Sequence, residues 1–221
     1  LKQWKGLVRE SVNLRKDGTL FPVWLMSEIV KNSDGEPCAI VTSCEDITER
    51  KRDAEALRRQ AKLLRGAADA MNCLLTNMDF QTAISEALGK LGTAADMDRV
   101  YLFENHSEPG SGRILMSQRS EWVSAPVSSQ IDNPALQNAP YADACPRWYE
   151  LLSQNLPVRG AVRDFPANER ETLKAQGIRS LLVVPIMIHG NFWGFLGFDA
   201  CQHEREWRDE EEAILLAVAG S

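Results

Sequence analysis

The stretch Ile178–Ala200, "IRSLLVVPIMIHGNFWGFLGFDA", decides the fold. Two runs of β-branched and aromatic residues flank His189-Gly190-Asn191, so the spacing predicts an antiparallel hairpin with a tight turn at its centre. Gly194 and Gly197 inside the second run mark a bulge, or a place where a ligand or another backbone comes close. Downstream, "WRDEEEAILLAVAG" (207–220) predicts a closing helix whose acidic first turn suits its dipole. Upstream, "ANERETLKAQG" (167–177) predicts a helix ended by Gly177. Two further strands, "DRVYLFEN" (98–105) and "GRILMSQRSEWVS" (112–124), flank the loop "HSEPGSG". The connection from Ala125 to Asp164 is Pro-rich and irregular, around a helix near Arg147–Gln154 and a short strand, "PVRGAV".

The first part of the chain reads differently. Residues 4–46 form three strand-like runs, "KGLVRESVNLR", "LFPVWLMSEIVKN" and "PCAIVTSCED", punctuated by Asp-Gly at Asp17 and Asp34. Asp-Gly favours the positive φ of a hairpin turn, so an antiparallel meander is expected. Such a sheet leaves two edges and an apolar face that includes Trp24 and Met26, and it needs a covering element, either a second copy or other parts of the chain. "LKQWKGLVRE" has neither an initiator Met nor the apolar core of a signal peptide, which reads as a piece of a longer chain.

A helix is expected to start directly on the third strand. Asp46-Ile-Thr-Glu49 has the pattern of a capping box, with Thr48 an alternative cap, and from Arg50 to about Leu75 only Gly66 interrupts helix-forming residues. Leu57, Leu64 and Met71 recur every seven residues, as do Ala54, Ala61, Ala68 and Leu75. This is the seam of a short coiled coil, or else one face of a helix packed on its own domain. A second amphipathic helix follows, "DFQTAISEALGKLGTAADM", capped by Asp79.

A formal charge of −6 and the scatter of Lys and Arg argue against a nucleic-acid partner, and the apolar runs fall short of a membrane span. Five cysteines without a CxxC pair point to reduced thiols in a cytoplasmic setting and to no metal site. Phosphate-binding, nucleophile-elbow and zinc-protease motifs are missing, and His106, His189 and His203 fall in expected loops without partners; no catalytic residue is assigned.

The segment "RKDGTLFPVWLMSEIV…DGEP…DITERKR" resembles the C-terminal half of a PAS sensor domain, and "GIRSLLVVPIMIHGNFWGFLGFDAC" with the closing helix resembles the end of a GAF domain, whose first core strand is matched by "DRVYLFEN". The resemblance implies an α+β chain: a partial PAS antiparallel sheet (1–48), a linker helix (49–77), and a GAF domain with a central antiparallel sheet flanked by helices (78–221), whose first helix could begin in the linker. It further implies a non-enzymatic sensory region of a bacterial sensor histidine kinase, part of a two-component phosphorelay, with the output domain elsewhere in a cytoplasmic or membrane-anchored parent. The competing implication is a small-molecule-binding GAF sensor regulating a cyclic-di-GMP cyclase or phosphodiesterase. In the first case a parallel homodimer joins through Leu57, Ala61, Leu64, Ala68, Met71 and Leu75, with Asp46, Thr48 and Glu49 coupling strand to helix.

Bilin-binding relatives offer a Cys followed by His, whereas Cys145 precedes Pro146, which argues against a bilin. No axial-ligand setting for haem is evident either. For a small polar ligand of unknown identity, the candidates are Trp122, Tyr141, Trp148, Arg163 and Asp164 in the long connection; the alternative is that they serve core and rim packing.

Overall fold

The computed structural model describes residues 7–220. The start of the first expected strand, at Lys5 and Gly6, lies outside the described residues. The chain divides into two compact units, 1–58 and 59–221.

In the first unit, β1 (Leu7–Leu14), β2 (Leu20–Lys31) and β3 (Pro37–Asp46) form an antiparallel sheet in the order β1-β2-β3. Both hairpins turn at the Asp-Gly positions, where Gly18 and Gly35 take positive φ. Val23 is fully buried, yet Leu7, Val12, Leu20, Met26 and Ile40 are exposed, so the meander keeps an open apolar surface.

Helix α1 (Thr48–Thr76) starts two residues past β3. The Asp46 carboxylate accepts from the Thr48 backbone N–H (2.9 Å) and hydroxyl (2.6 Å) and from Arg15 on the β1–β2 turn, while Lys51 reaches Glu10 on β1 at 2.5 Å. The junction is therefore an Asp46–Thr48 cap. Among the described residues Glu49 makes no return bond, which corrects the expected capping box: Asp46 lies one position too far out for Glu49 to reach back. Hydrogen bonds from Thr48 and Arg15 hold Asp46 at about 2, below its ordinary 3.8. A carboxyl shifted this way supports the fold above pH 3.8 and loses that contribution as pH falls through about 2. In a carbon-detected NMR titration the Asp46 carboxyl should titrate near 2, and a midpoint near 3.8 would contradict the cap.

The second unit is built on six antiparallel strands in the order β6-β5-β4-β9-β8-β7: β4 (Arg99–Ser107), β5 (Ile114–Val123), β6 (Ala139–Pro140), β7 (Val158–Ala161), β8 (Ser180–Ile188) and β9 (Asn191–Ala200). β8 and β9 are the expected hairpin, paired from Ser180↔Ala200 to Ile188↔Asn191. Alternation along the strands divides the apolar residues into two cores. Val100, Leu102, Leu182, Val184, Leu196 and Phe198 meet helices on one face; Tyr101, Phe103, Leu181, Val183 and Phe195 face the other way.

On the helical face lie α2 (Phe80–Ala95), capped by Asp79 as expected, the C-terminal part of α1, and α6 (Asp209–Ala219). Leu63, Gly66, Ala67 and Ala70 of α1 are buried here. Gly66 is a contact point: a Cβ there would come within 2.1 Å of the Ala94 Cβ on α2. The other face is covered by α3 (Tyr141–Ala144), α4 (Pro146–Leu152), α5 (Ala167–Ala175) and the 124–140 connection.

Candidate functional site

The cavity lies on this second face. Direct cross-strand pairing of β4 with β9 supplies its floor: Arg99↔Asp199, Tyr101↔Gly197 and Phe103↔Phe195. Phe103 and Phe195 stack with ring centroids 4.7 Å apart and planes 8° from parallel. Gly197 is small because the Tyr101 ring lies across it; a Cβ would meet that ring at 2.1 Å. The Tyr101 hydroxyl can thus donate to Asp199 Oδ1 at 3.1 Å. Neither a ligand nor a bulge explains Gly197, whereas Gly194 sits beside the register shift at Ile186/Met187 and makes room for the Phe103 carbonyl of β4, the close backbone approach that was one of the expected alternatives.

Asp199 also accepts from Arg99 Nε (2.9 Å) and Nη2 (2.7 Å), and both side chains are almost wholly inaccessible. Burial pushes the Asp199 carboxyl up to about 6 against the opposing pull of Arg99 and Tyr101. Desolvation likewise raises the Tyr101 phenol well above its ordinary range.

The side wall comes from β5, where the register against β4 slips between Leu102 and Phe103. Strict alternation from Met116 and Gln118 would put Trp122 on the same face. The irregularity reverses the phase, so Met116, Gln118 and Glu121 line the cavity while Trp122 packs on α2 beside Gly89 and Gly92. Glu121 lies 3.8 Å from Arg99 Nε, accepts from Gln118 Nε2 at 3.2 Å, and holds the overlying loop through the Gln130 backbone N–H (2.8 Å) and the Ser129 hydroxyl.

The last wall is held by Glu169 on α5. Its carboxylate accepts from Arg147 Nε (2.9 Å) and Nη2 (2.7 Å) and from Trp148 Nε1 (2.9 Å). Trp148 is thereby fixed edge-on to Phe195, with centroids 6.3 Å apart. Cys145, at the start of α4, also lines the space, and burial pushes its thiol up to about 12. The cavity volume is about 350 Å³.

Two polar atoms on these walls are buried without a partner among the described residues: Arg99 Nη1 and Gln118 Oε1. Such groups are rare in folded proteins and mark places where something further can bind.

Of the five candidate ligand residues, the cavity brings in Trp148 alone. Trp122 lies on the helical face for the reason just given. Tyr141 is buried beside the cavity, and its hydroxyl donates to Asn105 at 2.7 Å. Arg163 and Asp164 are exposed, and Arg163 pairs with Glu204 at 2.9 Å. For Tyr141, Arg163 and Asp164 the Pro-rich connection has no periodicity from which to read facing. Arg99, Gln118, Glu121 and Glu169 were missed because charged and amide side chains read as surface. The available signal was Arg99 and Asp199, each set at the end of an apolar strand.

His106 Nε2 lies 2.9 Å from the Ser117 hydroxyl, but that hydroxyl is buried and also accepts the Asn138 backbone N–H. Among the described residues no cluster of three or more His, Cys, Asp or Glu is placed to hold a metal, and no helix is long and apolar enough to cross a membrane.

Comparison with known proteins bears on the family and the fold. The chain is 40% identical over 192 residues to the methanogenesis regulatory histidine kinase FilI of Methanothrix harundinacea, covering 87% of this chain and 21% of that protein. It is 22% identical over 159 residues to an uncharacterized protein of Azorhizobium caulinodans, covering 71% and 22% respectively. The chain thus spans about a fifth of the length of these relatives. Among solved structures, the chromophore-binding domain of Stigmatella aurantiaca bacteriophytochrome superposes with a TM-score of 0.56 at 14% identity, over 95% of this chain and 70% of that one. GAF3 of Slr1393 from Synechocystis sp. PCC6803, in its photoproduct state, gives 0.51 at 20% identity, over 63% and 88%. These two likenesses concern the fold. The family model of the GAF domain matches residues 79–221, and the chain belongs to the GAF domain family.

Proposed function

We propose that this chain is the non-catalytic sensory region of a histidine kinase, in which a small molecule held in the GAF cavity is read out through α1. The observation that carries the reading is a cavity on whose walls two buried polar atoms, Arg99 Nη1 and Gln118 Oε1, lack a partner among the described residues, since a cavity kept only for packing would be lined by apolar groups. The 40% identity to a regulatory histidine kinase favours that output over a cyclic-di-GMP enzyme. In this reading the three-stranded unit is the C-terminal half of a PAS domain, and the parent protein carries its output domain elsewhere and signals to the cytoplasm.

Helix α1 has the faces that a relay needs. Leu63, Gly66, Ala67 and Ala70 are buried on the domain, whereas Leu57 and Leu64 are 66% and 50% exposed, Leu75 is 84% exposed, and Ala61 and Ala68 are open beside them. The stripe that packs on the domain is thus distinct from the heptad residues, and in this reading the exposed heptad stripe is the one that meets a second chain. Met71 is half-buried between the two. A parallel pair joined along the exposed stripe would convert small shifts at the domain into a change of helix register.

Leu64→Asp should dissociate that pair, because it puts a carboxylate into each chain's half of the seam. Sedimentation equilibrium is expected to give a dimer for the native sequence and a monomer for the variant, with unchanged circular dichroism. A monomeric native protein, or a variant that stays dimeric, would contradict the relay.

A further inference from the structure

We infer that the cavity takes a small uncharged molecule that presents both a hydrogen-bond acceptor and a hydrogen-bond donor on an apolar ring, an aromatic amide being the simplest such chemistry. The inference rests on the ligand-binding reading above and specifies its chemical class.

The polar requirement comes from the two unpartnered atoms. Arg99 uses Nε and Nη2 on Asp199, leaving Nη1 as a buried donor that lacks an acceptor. Gln118 is the converse. Its orientation is set because Nε2 faces Glu121 Oε1 at 3.2 Å, and a carboxylate can only accept, so Oε1 is left as an acceptor that lacks a donor. A ligand that satisfies one atom leaves the other without a partner at a buried position, and each unpaired group weakens binding.

The charge requirement comes from the ion pairs. The Arg99 guanidinium is already answered by Asp199 at 2.7 Å and Glu121 at 3.8 Å, and Glu169 by Arg147 at 2.7 Å. An incoming anion would add to an excess of carboxylates, and an incoming cation would have to sit beside Arg99. In either case its lost hydration is uncompensated. The shape requirement comes from the stacked Phe103 and Phe195, the edge of Trp148, and a volume of about 350 Å³, which suits one or two rings.

Benzamide, benzoate and benzamidinium share one shape and carry charges of zero, minus one and plus one, so the series isolates the claim. Titration calorimetry on the full chain at neutral pH should give benzamide at least about ten-fold tighter binding than either ion, the equivalent of roughly 1.4 kcal/mol. Binding should weaken by a similar factor in Gln118→Met and vanish in Ala144→Phe, which fills the cavity from α3. Equal or tighter binding of an ion that is lost in Ala144→Phe would overturn the chemical class but leave the cavity as a binding site. Benzamide binding that survives Ala144→Phe, or no binding by any of the three, would also overturn the class. A crystal structure of the native protein holding only an ordered water between Arg99 and Gln118 would overturn the ligand-binding reading as well.

Discussion

Asp199→Ala should cost about 3–5 kcal/mol of stability, because it strands a buried guanidinium. Arg99 is 1% exposed and Asp199 fully buried, so water cannot replace the lost partner. The substitution also removes the acceptor for the Tyr101 hydroxyl, which has no other hydrogen bond among the described residues. Glu121 offers Arg99 only a 3.8 Å approach and is already committed to Gln118, Ser129 and Gln130. Asp199→Asn keeps an acceptor oxygen without the charge and should lose less. Urea denaturation of both variants checks the ordering. A loss below about 1 kcal/mol for the alanine variant would mean that Glu121 carries the charge instead, since that is the range for a pair whose partner is replaceable.

Glu169→Ala should be the next most costly change, at about 2–4 kcal/mol, by leaving Trp148 Nε1 buried and unpaired. Arg147 softens the loss: its side chain is 39% exposed and recovers water when the carboxylate goes. Glu169→Gln retains one acceptor for the indole and should recover most of the difference. Calorimetric melting would show the ranking, with each kcal/mol shifting the midpoint by roughly 2–4 °C for a protein of this size. Equal melting temperatures for Glu169→Ala and the native protein would show that Trp148 is held by packing alone.

These two carboxylates show why the fold was more legible than the site. Alternating apolar residues in Ile178–Ala200 can satisfy only a strand pair, and the structure has that hairpin, with the turn one residue shorter than expected because Asn191 already belongs to β9. Asp79 capped α2 as its position implied. The heptads of α1 were visible too, but its second, buried stripe was not, because it depends on Gly66 meeting Ala94, a contact between distant turns of two helices. The cavity depends on similar long-range facts. Arg99 meets Asp199 only once β4 pairs with β9, and Glu121 rather than Trp122 faces inward only because β5 changes phase along its length. Local sequence carries neither. In the 125–164 connection, where Tyr141, Arg163 and Asp164 were chosen for their chemistry alone, no periodicity could say which way they point.

The central claim is that the state of the cavity is felt along α1. The two surfaces of β5 suggest a route: Glu121 holds the cavity loop, and the adjacent Trp122 packs against α2, which α1 meets at Gly66. Hydrogen exchange read by mass spectrometry on the native chain and on Ala144→Phe, where a ring occupies the cavity permanently, tests this most directly. The account predicts that protection changes in peptides covering Ala54–Leu75 as well as around Gln118–Glu121. A change confined to the cavity walls, with Ala54–Leu75 exchanging identically in both proteins, would contradict it.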